Sequence, residues 1–388
     1  MRTLHFGSGN IGKGLIGSLL NHSGYEICFV DVNQSIVDKF NEENSYDIEI
    51  LDDNRTVETI SPVSALNSKT QKEKVLKSIV HADLLTTSVG ANNLSGIAEI
   101  IAEGVLKRYK ENRKKLNVMA NENAVYASSM LKREIEKLVT PDEMANILSF
   151  VSFPNTAIDR LALSEKRDDE NITVVEPDYE WIINEAEMAN VKVPYIKNAI
   201  YVKDLNPYLE RKLYIVNMGH AAIAYVGFLA GASTIQQALA NPAIYAYAKE
   251  TLTEASLYIN QTFDFGVEDL QRFIKQTLVR FQNENVRDDI LRVGRSPIRK
   301  LGYDERIIKP TRELFEWGFS TEYLITAIAA GMLFQHSKDE EALLLQQTIK
   351  EKGIEEALSS ITKIENEDLK QKIIKKYDQL KNTTLPFM

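Results

Sequence analysis

A glycine-rich turn near the start of the chain constrains the fold more than any other feature of the sequence. Gly7-Ser8-Gly9-Asn10-Ile11-Gly12 follows the apolar run Leu4-His5-Phe6, and Ile11, Leu15 and Leu19 then recur at helical spacing. The first glycine of such a turn permits a tight bend, the second lets backbone amides approach a pyrophosphate, and the third lets the helix pack closely on the strand. The helix N-terminus adds a field that favours an anion. This pattern predicts a strand–turn–helix unit that binds a dinucleotide.

An acidic residue at the end of the second predicted strand indicates which dinucleotide binds. Asp31 ends the run Tyr25–Asp31 and lies 19 residues after Gly12. A carboxylate in this place accepts hydrogen bonds from the adenosine ribose hydroxyls and repels a 2′-phosphate. No Arg or Lys follows until Lys39. The sequence therefore favours NAD over NADP. The alternative is a plain strand–turn–helix unit whose small residues serve packing alone.

Strand and helix patterns alternate in the first half of the chain, whereas the second half is helical. Strands are predicted at Leu4–Phe6, Tyr25–Asp31, Asp83–Val89, Leu116–Ala120 and Ile147–Val151. Such alternation predicts a Rossmann-type α/β domain with a mostly parallel sheet and helices on both faces. The helical half ends in a charge-rich amphipathic stretch over residues 338–381. We expect an NAD-binding domain over residues 1–190 and a mostly α-helical substrate-binding and catalytic domain over residues 191–388.

Composition argues against several classes of protein. The 388 residues include one cysteine, Cys28, which rules out an internal disulfide and a zinc site built on several cysteines. The five histidines contain no HxxxH pair, so we expect no metal. A net charge of −9 argues against a nucleic-acid surface. The first residues resemble no signal peptide, so a cytoplasmic location is expected.

A long segment without charged residues tests the prediction that the protein does not enter a membrane. Residues 213–248 contain no Asp, Glu, Lys or Arg. A membrane span needs about 20 mostly apolar residues. Polar residues, glycines and Pro242 interrupt this segment. We therefore predict a pair of buried helices there and no membrane span.

Three polar residues lie where this apolar segment begins. On an α-helix, with about 100° per residue, Asn217 lies about 140° and His220 about 80° from Lys212, so all three can share a broad face. Burial lowers a lysine pKa, which allows a general base near neutral pH. The amide of Asn217 can hold a developing alkoxide, and His220 can bind a substrate hydroxyl. The alternative is a lysine at a helix end and two hydrogen-bonded core side chains.

Four cations lie within nine residues of the second half, at Arg292, Arg295, Arg299 and Lys300. Arginine is well suited to bidentate contacts with a phosphate ester. The alternative is a surface patch paired with nearby acids, namely Asp288, Asp289 and Asp304. The concentration of positive charge is unusual in an acidic protein, and at this point both interpretations stay open.

Several sequence blocks together resemble the polyol-specific long-chain dehydrogenases of the mannitol dehydrogenase family. The resemblance covers nearly the whole chain, and its most specific block is the K-x4-N-x2-H motif formed by Lys212, Asn217 and His220. The other blocks are His5–Gly14, Thr86–Gly90, Glu122-Asn123, Asn155–Arg160, Arg292–Arg295, Arg299–Leu301 and Arg306–Pro310.

The resemblance implies a catalytic role for each of four residues. Lys212 would be the general acid and base, Asn217 and Asn155 would form an oxyanion hole, and His220 would position the substrate. Hydride would pass to NAD without a metal, in the interconversion of D-mannitol 1-phosphate and D-fructose 6-phosphate by a monomer or small homo-oligomer. Phe153-Pro154 before Asn155 is closer to the branches that use free polyols or hexuronates such as fructuronate and tagaturonate, which remain an alternative. A non-catalytic NAD-sensing protein is the alternative of another class.

Overall fold

The computed structural model describes residues 1–167, 170–189 and 195–382. The chain divides into two compact units, Met1–Tyr208 and Leu209–Met388. The domain boundary expected between residues 190 and 191 lies outside the described residues. Among those that are described, no helix is both long and apolar enough to cross a membrane.

The first unit is built from alternating strands and helices. Its described strands are β1 (Arg2–Phe6), β2 (Glu26–Asp31), β3 (Tyr46–Ile50), β4 (Val57–Ile60), β5 (Val63–Asn67), β6 (Leu84–Thr87), β7 (Leu116–Ala120), β8 (Val151–Ser152), β9 (Thr156–Asp159), β10 (Ala162–Arg167), β11 (Glu170–Val175), β12 (Glu180–Asn184) and β13 (Ile200–Val202). The helices are α1 (Ser18–His22), α2 (Gln34–Glu43), α3 (Lys72–His81), α4 (Leu94–Glu111), α5 (Ala127–Glu136) and α6 (Pro141–Leu148).

The central sheet is parallel and has the strand order β5-β2-β1-β6-β7-β8. Every residue of β6 and β7 is buried, as expected for strands covered on both faces. The chain leaves β1 at the carboxyl edge, where the strand order reverses between β2 and β6. Ligands of open α/β sheets bind at such a point. The predicted Rossmann-type fold is confirmed.

Two smaller sheets of the first unit lie outside the alternating pattern. One has the order β10-β11-β3-β4, in which β3 pairs in parallel with β11 and antiparallel with β4. The other has the order β13-β12-β9. The sequence analysis predicted neither sheet. The strand predicted at Ile147–Val151 was wrong except for its last residue, Val151, which begins β8. A capping box of Thr140 and Glu143 starts α6 at Pro141, and this helix continues to Leu148.

The second unit is mostly helical in its described part, as predicted. A helix begins with α7 (Asn206–Arg211), passes through a π turn (Lys212–Asn217) and continues as α8 (Met218–Leu229). The others are α9 (Ile235–Leu239), α10 (Pro242–Thr262), α11 (Val267–Phe281), α12 (Ile290–Gly294), α13 (Pro297–Lys300), α14 (Ile308–Glu316), α15 (Glu322–Met332), α16 (Glu340–Thr362) and α17 (Glu367–Asn382).

The uncharged segment 213–248 lies in the core of this second unit. Nine of the twelve residues of α8 are buried, and α8 packs against α10 and α15. The segment contains the π turn, α8, α9 and the first residues of α10, so the predicted helix pair is in fact a longer series. Its lack of charge is thus explained by burial on nearly all sides.

Candidate active site

The glycine turn folds against the carboxyl ends of β1 and β2. Gly7 has a φ of +98°, which favours glycine, and its N–H donates to the Val30 carbonyl at 2.9 Å. A side chain on Gly12 would clash with the Gly7 carbonyl oxygen and lie 2.8 Å from Nε2 of His5. No atom lies within 4 Å of the place that a Gly9 Cβ would take. The first and third glycines therefore serve the bend and packing, and the second leaves space for a ligand.

Asp31 is tied to the glycine turn by the donors that surround it. Its Oδ2 accepts from the backbone N–H of Ser8 at 2.9 Å and from the Ser8 hydroxyl, and its Oδ1 accepts from the N–H groups of Val32 at 2.7 Å and Asn33 at 3.0 Å. Burial opposes ionisation, but these hydrogen bonds outweigh it and hold the pKa of Asp31 below its usual value. Four donors occupy the acceptor capacity of a carboxylate. A ribose hydroxyl that binds Asp31 must therefore displace one, and the Ser8 hydroxyl can rotate away.

A buried histidine joins the glycine turn to the end of β6. Nδ1 of His5 lies 2.7 Å from the Thr86 hydroxyl and Nε2 lies 2.9 Å from the Ser88 hydroxyl. Complete burial lowers the pKa of His5 to about 3. The ring is therefore neutral at physiological pH and acts as a hydrogen-bonding spacer. It explains why His5 and Thr86–Gly90 belong to the same set of motifs.

Glu122 holds the loop that follows β6. Its Oε1 accepts from the Thr87 hydroxyl at 2.7 Å and from the Val89 N–H at 3.0 Å, and its Oε2 accepts from the Gly90 N–H at 2.7 Å. Glu122 itself is buried. Hydrogen bonds thus join the sequence blocks Thr86–Gly90 and Glu122-Asn123 and hold the loop after β6 in place.

Asn155 lies in the first unit and is buried in a polar cluster. Its Nδ2 donates to the Ser129 hydroxyl at 2.8 Å and to Oε2 of Glu187 at 3.1 Å, and its Oδ1 accepts from the Ser129 N–H at 3.1 Å. Both amide hydrogens are therefore in use. Donation to a substrate oxygen requires one of these bonds to be exchanged.

Arg160, from the same sequence block as Asn155, bonds to the helix that follows the glycine turn. The side chain is buried; its Nε donates to the Glu176 carbonyl at 2.9 Å and its Nη1 to the Gly14 carbonyl at 2.5 Å. Gly14 belongs to a π turn, Gly12–Gly17, with which the helix after the glycine turn begins. The sequence analysis gave Arg160 no role of its own, although the block that contains it was recognised.

The π turn Lys212–Asn217 changes the predicted arrangement of the three polar residues in the second unit. A π turn closes its hydrogen bonds between residues five apart, so such residues lie nearly above one another. The value of about 140° between Lys212 and Asn217 assumed an α-helix and is wrong for this turn. His220 follows three residues later in α8, at the spacing of neighbours on an α-helix. The three residues thus form one stripe, and all are half-buried.

Asp288 is the acidic partner of His220. Oδ2 of Asp288 lies 2.5 Å from Nε2 of His220, and Oδ1 forms an ion pair with the guanidinium of Arg292. The His220 ring stacks on Phe281, with centroids 4.8 Å apart. Burial opposes the charge of Asp288, but His220 and Arg292 outweigh it and hold its pKa below the usual value. Asp288 therefore fixes the His220 ring, a role that the sequence analysis did not predict.

The basic patch consists of residues in different environments. Arg292 pairs with Asp288, and Arg299 lies 3.4 Å from Glu305. The buried Lys300 donates to the Val293 carbonyl. Burial and then the charges of Arg306, Arg299 and Arg295 lower its pKa to about 7. Of the three acids considered as partners of the basic patch, Asp288 pairs with one of its cations, Arg292. Asp289 instead caps α12, and Asp304 pairs with Arg312.

Comparison with known proteins identifies the class to which this chain belongs. The model of the Mannitol dehydrogenase Rossmann domain matches residues 1–197, and that of the Mannitol dehydrogenase C-terminal domain matches residues 204–381. The chain therefore belongs to the mannitol dehydrogenase family, which confirms the resemblance found in the sequence motifs.

Individual relatives and solved structures agree with this assignment. A Bacillus licheniformis protein named mannitol-1-phosphate 5-dehydrogenase is 42% identical over 95% of this chain and 97% of its own length. A Bacillus subtilis protein of that name is 40% identical over 98% and 100%. The fold is similar to substrate-free D-sorbitol dehydrogenase, with a TM-score of 0.86, 16% identity and coverage of 99% and 94%. Pseudomonas fluorescens mannitol 2-dehydrogenase, solved with NAD and D-mannitol, gives 0.73, 16% identity and coverage of 99% and 92%.

Replacing Asp288 tests its contact with His220 and Arg292. Asp288→Asn should lower the free energy of unfolding at pH 7 by about 2 kcal/mol, because the partners lose a buried charge. The pKa of Asp288 is lowered on folding, so its contribution is present at neutral pH and is lost as the pH falls through its folded value. Urea unfolding should show a difference that shrinks below about pH 4. Asp289→Asn, which keeps its capping oxygen, is the control; a deficit that does not change with pH would contradict the assignment.

Replacing Lys300 tests its lowered pKa. Its value falls from 10.5 to about 7 on folding, so between these pH values the unfolded chain binds a proton that the folded chain does not. The free energy of unfolding of the wild type should therefore contain a contribution that increases from pH 7 towards pH 10. Lys300→Met should remove this contribution. Thermal unfolding from pH 7 to pH 9 measures this slope. Lys350→Met, at an exposed site, should keep the wild-type dependence of stability on pH. If Lys300→Met has the same dependence as the wild type, the lowered pKa of Lys300 is disproved.

Proposed function

We propose that this chain is an NAD-dependent oxidoreductase that interconverts D-mannitol 1-phosphate and D-fructose 6-phosphate. The observation that carries the proposal is the match, over 95% or more of the chain, to relatives named mannitol-1-phosphate 5-dehydrogenase. In this proposal residues 1–190 bind the cofactor and contribute Asn155, and residues 191–388 bind the substrate and supply Lys212, Asn217 and His220. The cofactor contacts are Gly7, Ser8, Gly9, Asn10, Ile11, Gly12 and Asp31.

The proposed chemistry assigns proton transfer to the chain's own side chains. NAD supplies the hydride exchange when bound. In the reductive direction, Lys212 gives a proton to the ketose oxygen, and in oxidation it removes the hydroxyl proton. The amides of Asn217 and Asn155 stabilise the negative charge that develops on this oxygen. His220, fixed by Asp288, hydrogen-bonds a neighbouring substrate hydroxyl. The π turn supports this assignment because it places Lys212 and Asn217 on one stripe.

Arg295 is the member of the basic patch best suited to bind the phosphate. Its side chain is exposed, and it has no ion-pair partner among the described residues. By contrast, Arg292 and Arg299 face acidic partners, and the amine of Lys300 is bonded to a carbonyl. Arg295 also contributes to the positive field that lowers the Lys300 pKa. A phosphate dianion would relieve this repulsion.

The remaining properties of the proposal follow from composition. One cysteine and an acidic net charge favour a cytoplasmic enzyme that binds no nucleic acid. Its partners are the sugar phosphate and NAD, and it works as a monomer or a small homo-oligomer.

A substrate panel tests the activity. NADH oxidation should be fastest with fructose 6-phosphate and much slower with fructose, fructuronate or tagaturonate, because only the first carries a phosphate for the basic patch. Lys212→Ala should reduce turnover by about a thousandfold or more and leave the affinity for NADH nearly unchanged. Equal rates with fructose and fructose 6-phosphate would favour a free-polyol enzyme. A hexuronate preference would favour that branch, and no turnover would favour an NAD sensor.

The phosphate assignment has its own test. Arg295→Gln should raise the KM for fructose 6-phosphate by about tenfold to a hundredfold, because a charge-assisted contact is lost. The KM for NADH should not change. Arg287→Gln, at an exposed arginine outside the patch, is the matched control. If the two variants have the same KM for fructose 6-phosphate, the phosphate is not bound by Arg295.

A further inference from the structure

Four side chains form a cluster behind the π turn of the second unit. Oε1 of Glu210 lies 3.2 Å from Nζ of Lys309, and Oε2 of Glu210 accepts a hydrogen bond from the Tyr258 hydroxyl at 2.9 Å. Nζ of Lys309 also lies 5.4 Å from the centre of the Tyr214 ring and 5.7 Å from that of Tyr258. The cluster joins α7, the π turn, α10 and α14.

The ion pair at its centre is largely shielded from solvent. The side chains of Glu210 and Lys309 are 19% and 25% exposed. Burial opposes the charge of Lys309, but Tyr258, Tyr214 and Glu210 outweigh it and keep its pKa above the usual value. Lys309 is therefore charged at any physiological pH. An ion pair in such a place is screened far less than one at the surface.

The cluster holds the helix at two points that flank Lys212. Glu210 precedes the π turn, and Tyr214 lies within it. The Tyr214 hydroxyl donates to the Asp304 carbonyl at 3.2 Å, and its ring meets Tyr258 edge-on at 5.2 Å. Tyr258 in turn stacks on Trp317, with centroids 5.9 Å apart. Residues two apart on a helix point to nearly opposite sides, so Lys212 is directed away from the side chains that hold its neighbours.

We propose that Lys309 is a positioning residue that keeps the π turn in its five-residue register through Glu210 and Tyr214. A π turn is rarer than an α turn and occurs as a local bulge, so it depends on contacts outside the helix. Return to α-helical register would turn Asn217 by about one residue, roughly 100°, relative to Lys212. The inference rests on the proposed acid–base role of Lys212.

This role accounts for a sequence block to which neither cofactor nor phosphate binding assigned a function. Lys309 belongs to Arg306–Pro310, which resembles the family's C-terminal signature. Its amine is directed to Glu210 and the two tyrosine rings. Lys309 therefore acts on the π turn, at a distance from the chemistry itself.

Kinetics of Lys309 variants test the proposal. Lys309→Met should lower kcat by about tenfold to a hundredfold, as expected for a misplaced catalytic group, with the KM for NADH within about twofold of wild type. Lys309→Arg should recover most of the lost kcat, because arginine can also pair with Glu210. Lys372→Met is the control, since its amine lies 3.9 Å from Glu322 in an exposed pair. An unchanged kcat in folded Lys309→Met, or no recovery in folded Lys309→Arg, would overturn the proposal.

Hydrogen exchange provides a second measurement that does not depend on activity. Amides of residues 212–222 should exchange faster in Lys309→Met than in wild type or Lys372→Met, because the register of the turn is released. Tyr258→Phe, which removes only one donor to Glu210, should show a smaller effect in the same direction and serves if Lys309→Met does not fold. Unchanged exchange in both variants would overturn the inference. If the wild type reduces none of the sugars but the exchange changes as expected, the proposed function fails and the positioning role stands.

Discussion

The parallel pairing of β1 with both β2 and β6 is the constraint on which the cofactor half of the molecule depends. Phe6 lies opposite Val30 on one side and Thr87 on the other. Because all three strands run the same way, the glycine turn, Asp31 and the Ser88 loop leave the sheet at one edge. The hydrogen bonds of His5, Asp31 and Glu122 then join these loops to one another. Strand direction thus brings these loops together, and the side chains then join them.

The second unit meets a different physical requirement. Its central helix must be apolar on nearly all sides to fill the core, yet it must also present a lysine, an asparagine and a histidine. The π turn reconciles these needs, because one extra residue per turn brings Lys212 above Asn217 without widening the polar stripe. Two polar side chains of this helix face charged partners elsewhere in the unit, with Asp288 next to His220 and Lys309 next to Glu210.

Local pattern was sufficient for the elements that alternate along the sequence. β1, β2, β6 and β7 follow from hydrophobic periodicity and from the glycine turn. The sheet that pairs β3 with β11 could not be predicted in this way, because Ile48 and Thr173 are distant in sequence and their strands carry no shared local signal. In the same way, the capping box before α6 was present at Thr140–Glu143 but the apolar run after it suggested a strand.

The candidate site shows the same limit of local reasoning. The spacing of Lys212, Asn217 and His220 predicted that they share a face, but nothing in the sequence of this segment indicates a π turn, so the α-helical angle between the first two was wrong. Asp288 was considered only as a partner of the basic patch. Its contact with His220 depends on the packing of α8 near the start of α12, which the sequence does not encode locally.

The neutral ring of His5 has a consequence for how the molecule responds to acidity. A group with a pKa of about 3 carries no charge at any pH that a cell experiences. His5 therefore does not change the electrostatic potential at the edge of the sheet where the glycine turn lies. Lys300, with a pKa of about 7, gains or loses its proton within the same range. Acidity thus changes the charge of Lys300 in the second unit, whereas His5 in the first unit stays uncharged.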